Sequence, residues 1–190
     1  MIEIVRETKE TQIKVKLNLY GTGKSDIHTG VGFYDHMLEA FTKHAHIDME
    51  VTCSGDTHID DHHTVEDVGI VIAQAFNKAI YPVKNIERFG NATVVMDEAS
   101  VTCDIDFSNR GYLVFELPIG GKVGDFDVEL VEEFFKAFAF NVPLTLHLIY
   151  NRGKNKHHII EAAFKALAVS IRRAVTINEN AGIPSTKGVL

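Results

Sequence analysis

Two segments of this chain, 95 positions apart, carry the same combination of two adjacent histidines followed by a glutamate. Their sequences are Asp-Asp-His62-His63-Thr-Val-Glu66 and Asn-Lys-His157-His158-Ile-Ile-Glu161. In the first turn of a helix, the first histidine and the glutamate share one face, whereas the second histidine points about 100° away. One helix therefore cannot easily give all three groups to one ion, and we expect each pair to serve two metal sites shared between sequence halves or subunits. The alternative is two solvated polar helix starts.

Two further histidines lie at comparable points and complete a set of six imidazoles and two carboxylates. His36 begins a helical pattern, and His147 lies inside the run Leu-Thr-Leu-His-Leu, where a ring without a partner costs stability. The set divides into two sites of three histidines and one glutamate. Imidazole and carboxylate without thiolate favour Mn, Fe or Zn over Ca or Mg. Four protein ligands on an octahedral ion leave two positions open, which is typical of a catalytic metal.

The neighbouring acids, the other histidines and the cysteines have less specific patterns. Asp60 and Asp61 fit either acceptors that orient the imidazoles or caps of a helix N-terminus. Cys53 and Cys103 lie in strand-like apolar runs without CxxC spacing, so we expect reduced core thiols. The histidines without a repeat partner, for which we expect surface or helix-end roles, are His28, His44, His46 and His58.

Apolar spacing predicts the same series of elements twice. In the first half, alternation over residues 13–19 and 47–53 predicts strands, and helical spacing over residues 33–43 and 62–80 predicts helices. The second half repeats this order after a shift of 95 positions. The predicted strands there are 94–107, 112–117 and 144–150, and the predicted helices are 127–140 and 157–175.

This repetition predicts the fold class and its division. Helices that share an apolar side with neighbouring strands bury it against the sheet. We therefore expect an α/β fold of internally duplicated half-domains, with the helices packed between two four-stranded mixed sheets. The first half should cover residues 1–85 and the second residues 86–190, in one compact catalytic domain, because Pro82 interrupts the helical pattern near the boundary.

Length, composition and charge narrow the class of protein. With 190 residues, 45% of them apolar, the chain can bury a core, and no stretch reaches the roughly 20 apolar residues of a membrane span. The N-terminal residues fit neither a signal peptide nor a transit peptide, so we expect a soluble cytoplasmic protein. A formal charge of −7 argues against nucleic-acid binding. Residues 151–190 nevertheless carry +5, which suits a small anionic substrate or a solvated helix face.

Further short motifs run in order along nearly the whole chain. They are Thr29-Gly-Val-Gly-Phe-Tyr-Asp35-His36-Met37-Leu38, Gly55-Asp56, Glu66-Asp67, Arg88-Phe-Gly90, Met96-Asp97-Glu98-Ala99, Val123-Gly124-Asp125-Phe126-Asp127, Phe164-Lys165-Ala166 and Pro184-Ser185-Thr186-Lys187-Gly188. Together with the two histidine segments, these motifs closely resemble the imidazoleglycerol-phosphate dehydratase family. We know no other family that combines paired HHxxE segments with a PSTKG tail.

The resemblance implies a reaction, a metal and an assembly. The reaction is dehydration of D-erythro-imidazole glycerol phosphate to imidazole acetol phosphate in histidine biosynthesis, catalysed by a carbon–oxygen hydro-lyase. The family implies two Mn²⁺ per active site, with Fe²⁺ or Zn²⁺ as alternatives, and a homo-oligomer of 24 subunits built from trimers, with metal sites at contacts between chains. The implied metal ligands are His36, His62, His63, Glu66, His147, His157, His158 and Glu161.

The resemblance also implies how the substrate is handled. Metal bound to the substrate's imidazole would stabilise its anionic form, so that a hydroxyl leaves and a carboxylate handles the proton. The candidate carboxylates are Glu10, Glu66 and Glu161. The residues that match the family's phosphate-binding positions, where Arg forks and Lys charges suit phosphate oxygens, are Arg88, Arg110, Lys165, Ser185 and Lys187.

Some features of the sequence depart from the family pattern. Val95 replaces a usual Pro, and Asp106-Phe-Ser-Asn-Arg110-Gly-Tyr replaces Asp-Leu-Ser-Gly-Arg-Pro-Tyr, which affects only the expected turn geometry. The phosphatase domain fused to some relatives is missing, so we expect a monofunctional enzyme.

Two alternative functions fit the residues alone. One is a dinuclear metal hydrolase, which would need no imidazole in its substrate. The other is a His-rich metal-storage or assembly protein, in which Arg88→Ala or Lys187→Ala would have no effect on function.

Overall fold

The structure is a computed structural model that describes residues 1–190, with four helices and ten strands. The helices are α1 (Gly32–Ala45), α2 (His62–Ile80), α3 (Leu130–Asn141) and α4 (Lys156–Ala174). The strands are β1 (Ile2–Glu7), β2 (Thr11–Asn18), β3 (Ser25–His28), β4 (Asp48–Gly55), β5 (Phe89–Met96), β6 (Ala99–Asp106), β7 (Tyr112–Glu116), β8 (Lys122–Val123), β9 (Phe126–Asp127) and β10 (Thr145–Arg152).

Eight of the strands form two four-stranded mixed sheets with the same topology. The first sheet has the order β1-β2-β4-β3 and the second has the order β5-β6-β10-β7. In each sheet two pairs are antiparallel and the last pair is parallel. Parallel neighbours need a crossover, which α1 provides between β3 and β4, and α3 between β7 and β10. The predicted α/β fold with two four-stranded mixed sheets is confirmed, while the division into half-domains at residue 85 stays a prediction.

The four helices fill the space between the sheets and contact each other across the two repeats. α1 packs against α4 and α2 packs against α3, while α2 also covers β2 and α4 covers β5 and β6. Phenylalanine rings link the helices. The ring centroids are 5.9 Å apart for Phe41 and Phe76, 5.3 Å for Phe76 and Phe138, and 4.9 Å for Phe134 and Phe164. Such aromatic pairs add roughly 0.5–1.5 kcal/mol each to the burial of their area.

Two predicted elements differ from the structure. The single strand predicted over residues 94–107 is wrong, because a turn at Asp97 and Glu98 divides it into β5 and β6, and Asp97 has a positive φ of 48°. The helix predicted from residue 127 begins at Leu130, because Phe126–Asp127 pairs with Lys122–Val123 in a short hairpin. Both cysteines are free, as predicted. None of the helices combines the length and apolar character needed to cross a bilayer.

Gly90 allows α4 to approach β5 closely. A Cβ atom at this position would lie 2.0 Å from the backbone oxygen of Ser170 and 3.0 Å from Cβ of Ala174. Gly90→Ala must therefore push α4 away from the sheet, and we expect it to lower the free energy of unfolding by about 2 kcal/mol or more. Denaturant unfolding measures this. Gly120→Ala is the matched control, since a Cβ there meets nothing within 4 Å; equal midpoints for both variants would contradict the prediction.

Candidate metal centre and anion pocket

α1 and α4 bring three potential metal ligands together. His36 lies near the start of α1, and His157 and Glu161 lie one turn apart at the start of α4. Nε2 of His36 lies 3.6 Å from Oε2 of Glu161, and Nε2 of His157 lies 3.2 Å from the same oxygen. One ligand atom from each residue lies within 4.8 Å of the other two. Two imidazoles and a carboxylate at this spacing fit a Mn²⁺, Fe²⁺ or Zn²⁺ ion.

Glu161 is kept ionised although it is only 5% exposed. Burial alone would raise the pKa of its carboxyl, but Lys165, with smaller effects of His36 and His157, lowers the pKa below its ordinary value. Nζ of Lys165 lies 2.7 Å from Oε1, which leaves Oε2 facing the two imidazoles. Glu161 therefore presents a negatively charged oxygen to any cation held by His36 and His157.

The corresponding pair in the first segment is more open. Nε2 of His62 lies 3.6 Å from Oε2 of Glu66, and both side chains are about two-fifths exposed, at 42% and 44%. No third potential ligand of this chain joins them into a group. His147 lies on β10 between the buried Leu146 and Leu148, so strand alternation places it on the outer face of the second sheet. The division of the ligands into two sites of four stays a prediction.

Local hydrogen bonds fix the backbone where each histidine pair begins. Oδ1 of Asp60 accepts from the backbone N–H of His62 at 2.8 Å, and Oδ1 of Asn155 accepts from that of His157 at 3.0 Å. Asp60 and Asn155 are themselves related by the 95-residue shift. Asp61, the N-cap residue of α2, makes no side-chain bond to the helix, and burial raises the pKa of its carboxyl. Asp60 therefore has the capping contact rather than a contact with an imidazole.

The second histidine of each pair faces a different carboxylate from the first. Nδ1 of His63 lies 2.9 Å from Oδ2 of Asp56, and Nδ1 of His158 lies 2.7 Å from Oε2 of Glu98. These hydrogen bonds raise the pKa of both imidazoles and lower that of Asp56, while the pKa of Glu98 falls to about 2. Oε1 of Glu10, in the β1–β2 turn, lies 3.9 Å from Nε2 of His63. Glu10 is thus the nearest acid to this free nitrogen.

A separate pocket gathers cationic and hydroxyl side chains near the C-terminus. Four of the five predicted anion-binding residues line it, namely Arg88, Arg110, Ser185 and Lys187. The fifth, Lys165, lies instead beside Glu161. The Arg88 guanidinium donates to both oxygens of Asp106, at 2.7 and 3.1 Å, and to the backbone oxygen of Pro184 at 2.7 Å. These contacts hold Arg88 rigidly between β6 and the PSTKG segment.

Three carboxylates without a predicted role lie beside predicted site residues. Asp56 and Glu98 contact imidazoles, and Asp106 contacts Arg88. Asp56 and Glu98 lie in motifs that resemble the family, but both lie in loops or turns, where no periodicity relates them to the histidines. Among the histidines expected at helix ends, His46 is the C-cap of α1, in the left-handed conformation.

Sequence and structure comparisons relate this chain to one group of proteins. A sequence model of the imidazoleglycerol-phosphate dehydratase family matches residues 29–171. The proteins of that name from Sulfurovum sp. (strain NBC37-1) and Aliarcobacter butzleri (strain RM4018) are 88% and 67% identical over 190 residues, covering 100% of both chains. Two crystal structures are also similar to this chain. That of imidazoleglycerol-phosphate dehydratase (IGPD) from Staphylococcus aureus subsp. aureus N315 has a TM-score of 0.83 at 38% identity, and the match covers 94% of this chain and 100% of that one. That of IGPD from Pyrococcus furiosus in complex with (S)-C348 has a TM-score of 0.86 at 38% identity, and the match covers 98% of this chain and 100% of that one.

The cap at Asn155 should stabilise the start of α4. Asn155→Ala removes the oxygen that accepts from the backbone of His157, and we expect the free energy of unfolding to fall by about 1 kcal/mol. Chemical denaturation of the metal-free protein measures the change. Asn155→Ser keeps a capping oxygen and should stay close to wild type. An Ala variant as stable as the Ser variant would show that the cap contributes nothing.

Proposed function

This chain belongs to the imidazoleglycerol-phosphate dehydratase family, and from that premise we propose that it converts D-erythro-imidazole glycerol phosphate to imidazole acetol phosphate and water with the help of bound metal. As a dehydratase of histidine biosynthesis it is a carbon–oxygen lyase. The group formed by His36, His157 and Glu161 carries the proposal for the metal. The proton to be removed lies on a carbon without an adjacent carbonyl, so the reaction needs another way to stabilise negative charge.

We propose two divalent ions per active site, with Mn²⁺ as the first choice and Fe²⁺ or Zn²⁺ as alternatives. His36, His157 and Glu161 would hold one ion, and His62 and Glu66 would contribute to the other. The proposed ligand set is completed by His63, His147 and His158. A bound divalent ion supplies Lewis acidity, which polarises the imidazole ring of the substrate.

The three proposed catalytic carboxylates differ in what they can do with a proton. Glu161 has a lowered pKa and a lysine on one oxygen, so it suits a ligand or proton acceptor better than a proton donor. Glu66 is more exposed, and its Oε2 lies 3.6 Å from Nε2 of His62, beyond hydrogen-bond distance. Glu10 is exposed in a turn beside His63 and lies outside the group of three ligands. We therefore assign the exchange of protons with the substrate first to Glu10.

We propose that the phosphate of the substrate binds in the pocket beside the C-terminus. Asp106 and Pro184 use three N–H groups of Arg88, and the two remaining N–H groups are available to an anion. Arg110, Ser185 and Lys187 line the same pocket and add positive charge and a hydroxyl donor. Lys165 lies outside this pocket and pairs with Glu161, so its proposed phosphate contact has no support from a contact within this chain.

We also propose a cytoplasmic homo-oligomer of 24 subunits built from trimers. The observation that supports a shared site is that His62 and Glu66 lack a third ligand within the chain, while His147 faces outward from the second sheet. Groups from different copies are then needed to complete the second ion's coordination. Neither a metal hydrolase nor a metal store is favoured by a specific contact, and membership of a dehydratase family argues against both.

Metal removal tests the proposed function directly. Protein freed of metal by a chelator should not dehydrate imidazole glycerol phosphate. Added Mn²⁺ should restore the activity, because a Lewis acid is then present to polarise the substrate ring. Glu161→Gln should regain little activity. His28→Gln is a control, since this exposed histidine bonds only to Asp26 and lies outside the ligand group. A folded wild-type protein without turnover both before and after Mn²⁺ addition would refute the proposal.

A conservative change at Arg88 tests the anion pocket. Arg88→Lys keeps the charge but loses the planar fork that Asp106 holds, so we expect KM for the substrate to rise about 10–100-fold while kcat changes much less. Steady-state kinetics with saturating Mn²⁺ measure both constants. Arg173→Lys is the matched control, because Arg173 donates to the backbone oxygen of Asn91 outside the pocket. An unchanged KM in Arg88→Lys would contradict phosphate binding there.

A further inference from the structure

Two carboxylates make the same contact in the two repeats although they come from different places in the chain. Asp56 follows β4 and faces Nδ1 of His63, whereas Glu98 lies in the β5–β6 turn and faces Nδ1 of His158. The 95-residue shift relates Asp56 to Asn151, not to Glu98, so the contact is not copied by the repeat. Two independent segments therefore supply an acceptor to the same ring nitrogen of each second histidine.

We propose that Asp56 and Glu98 are positioning residues that fix His63 and His158 as the tautomers protonated on Nδ1, with Nε2 free to bind metal. The inference rests on the proposed metal dependence. An ionised carboxylate can only accept a hydrogen bond, so at 2.9 and 2.7 Å the neighbouring Nδ1 must carry the hydrogen. The in-plane lone pair of a neutral imidazole is then on Nε2, so this is the nitrogen that is left to bind a metal.

The other nitrogen of each ring is left without a hydrogen bond inside the chain. Nε2 of His63 lies 3.9 Å from Glu10, and Nε2 of His158 lies 4.0 Å from Asp97. Both distances are too long for a hydrogen bond. Glu10 and Asp97 occupy the turns β1–β2 and β5–β6, so each second histidine has one bonded nitrogen and one free nitrogen near a hairpin carboxylate.

The two orienting carboxylates are held differently by their surroundings. Oε1 of Glu98 accepts from the backbone N–H groups of Lys154 and Asn155 at 3.1 and 2.7 Å, while Oε2 faces His158. Oδ1 of Asp56 is buried and has no hydrogen-bond partner. A buried oxygen without a partner costs stability, so Asp56 is held less firmly than Glu98 and has one oxygen free to exchange with the other.

Glu98→Gln should reverse the tautomer of His158. The two backbone N–H groups retain the amide oxygen, so the amide NH₂ faces Nδ1 and forces the ring hydrogen onto Nε2. We expect the affinity for Mn²⁺ to fall about 10–100-fold. Asp56→Asn should have a smaller effect, because its side chain can turn its oxygen towards His63. Glu179→Gln, at an exposed acid away from both histidine pairs, is the matched control and should bind Mn²⁺ as wild type does.

The experiment measures free Mn²⁺ by electron paramagnetic resonance during titration of each chelated protein. Nitrogen-15 NMR of the metal-free proteins, at a pH where the imidazoles are neutral, reads the tautomers directly. Nδ1-protonated His63 and His158 in the wild type, with Nε2-protonated His158 in Glu98→Gln, are the expected results. Unchanged Mn²⁺ affinity in a folded Glu98→Gln variant, or Nε2-protonated rings in the wild type, would overturn the positioning role. A wild-type protein that binds no Mn²⁺ would instead refute the proposed metal dependence.

Discussion

The packing of α1 against α4 is the contact on which the candidate metal centre depends. His36 is separated from His157 by 121 positions, and only this helix pair brings the two rings to a centroid distance of 5.9 Å. The contact joins helices from different repeats, and it is stabilised by the apolar core below it rather than by the polar residues themselves. Phe134 on α3 stacks on Phe164 on α4 one turn below Glu161, so the ligands lie at the rim of that core.

Partial burial of Glu161 gives the site its electrostatic character. A buried carboxylate without a partner becomes harder to ionise, and Lys165, one turn further along α4, offsets that cost. Because the lysine occupies one oxygen, the other is directed to the imidazoles, and the charge of the group without metal is nearly balanced. α4 therefore supplies the imidazole of His157, the carboxylate of Glu161 and the cation of Lys165 that keeps this carboxylate charged.

Long periodic segments could be predicted from the sequence, while contacts made by turns could not. The helix predicted over residues 62–80 matches α2, because nineteen residues of apolar spacing with a capped start define both ends. The i, i+4 pairing of His157 with Glu161 followed from the same periodicity. The approach of His36 depends on which helices pack together, which spacing along one segment does not encode. Glu98 lies in a turn that was predicted to be strand.

The two repeats agree in backbone topology but differ in their potential metal ligands, and this difference leaves the His62 and Glu66 pair incomplete. Val131 on α3 occupies the position that the 95-residue shift relates to His36 on α1. The α2–α3 pair therefore cannot gather the third ligand that the α1–α4 pair gathers, and His62 and Glu66 stay open to solvent. An exposed ligand pair is of little use to a monomer, because water competes for every open position on a bound ion. A second ion bound there would need ligands beyond this pair, and in the proposed oligomer another copy of the chain would supply them, which would couple metal binding to association.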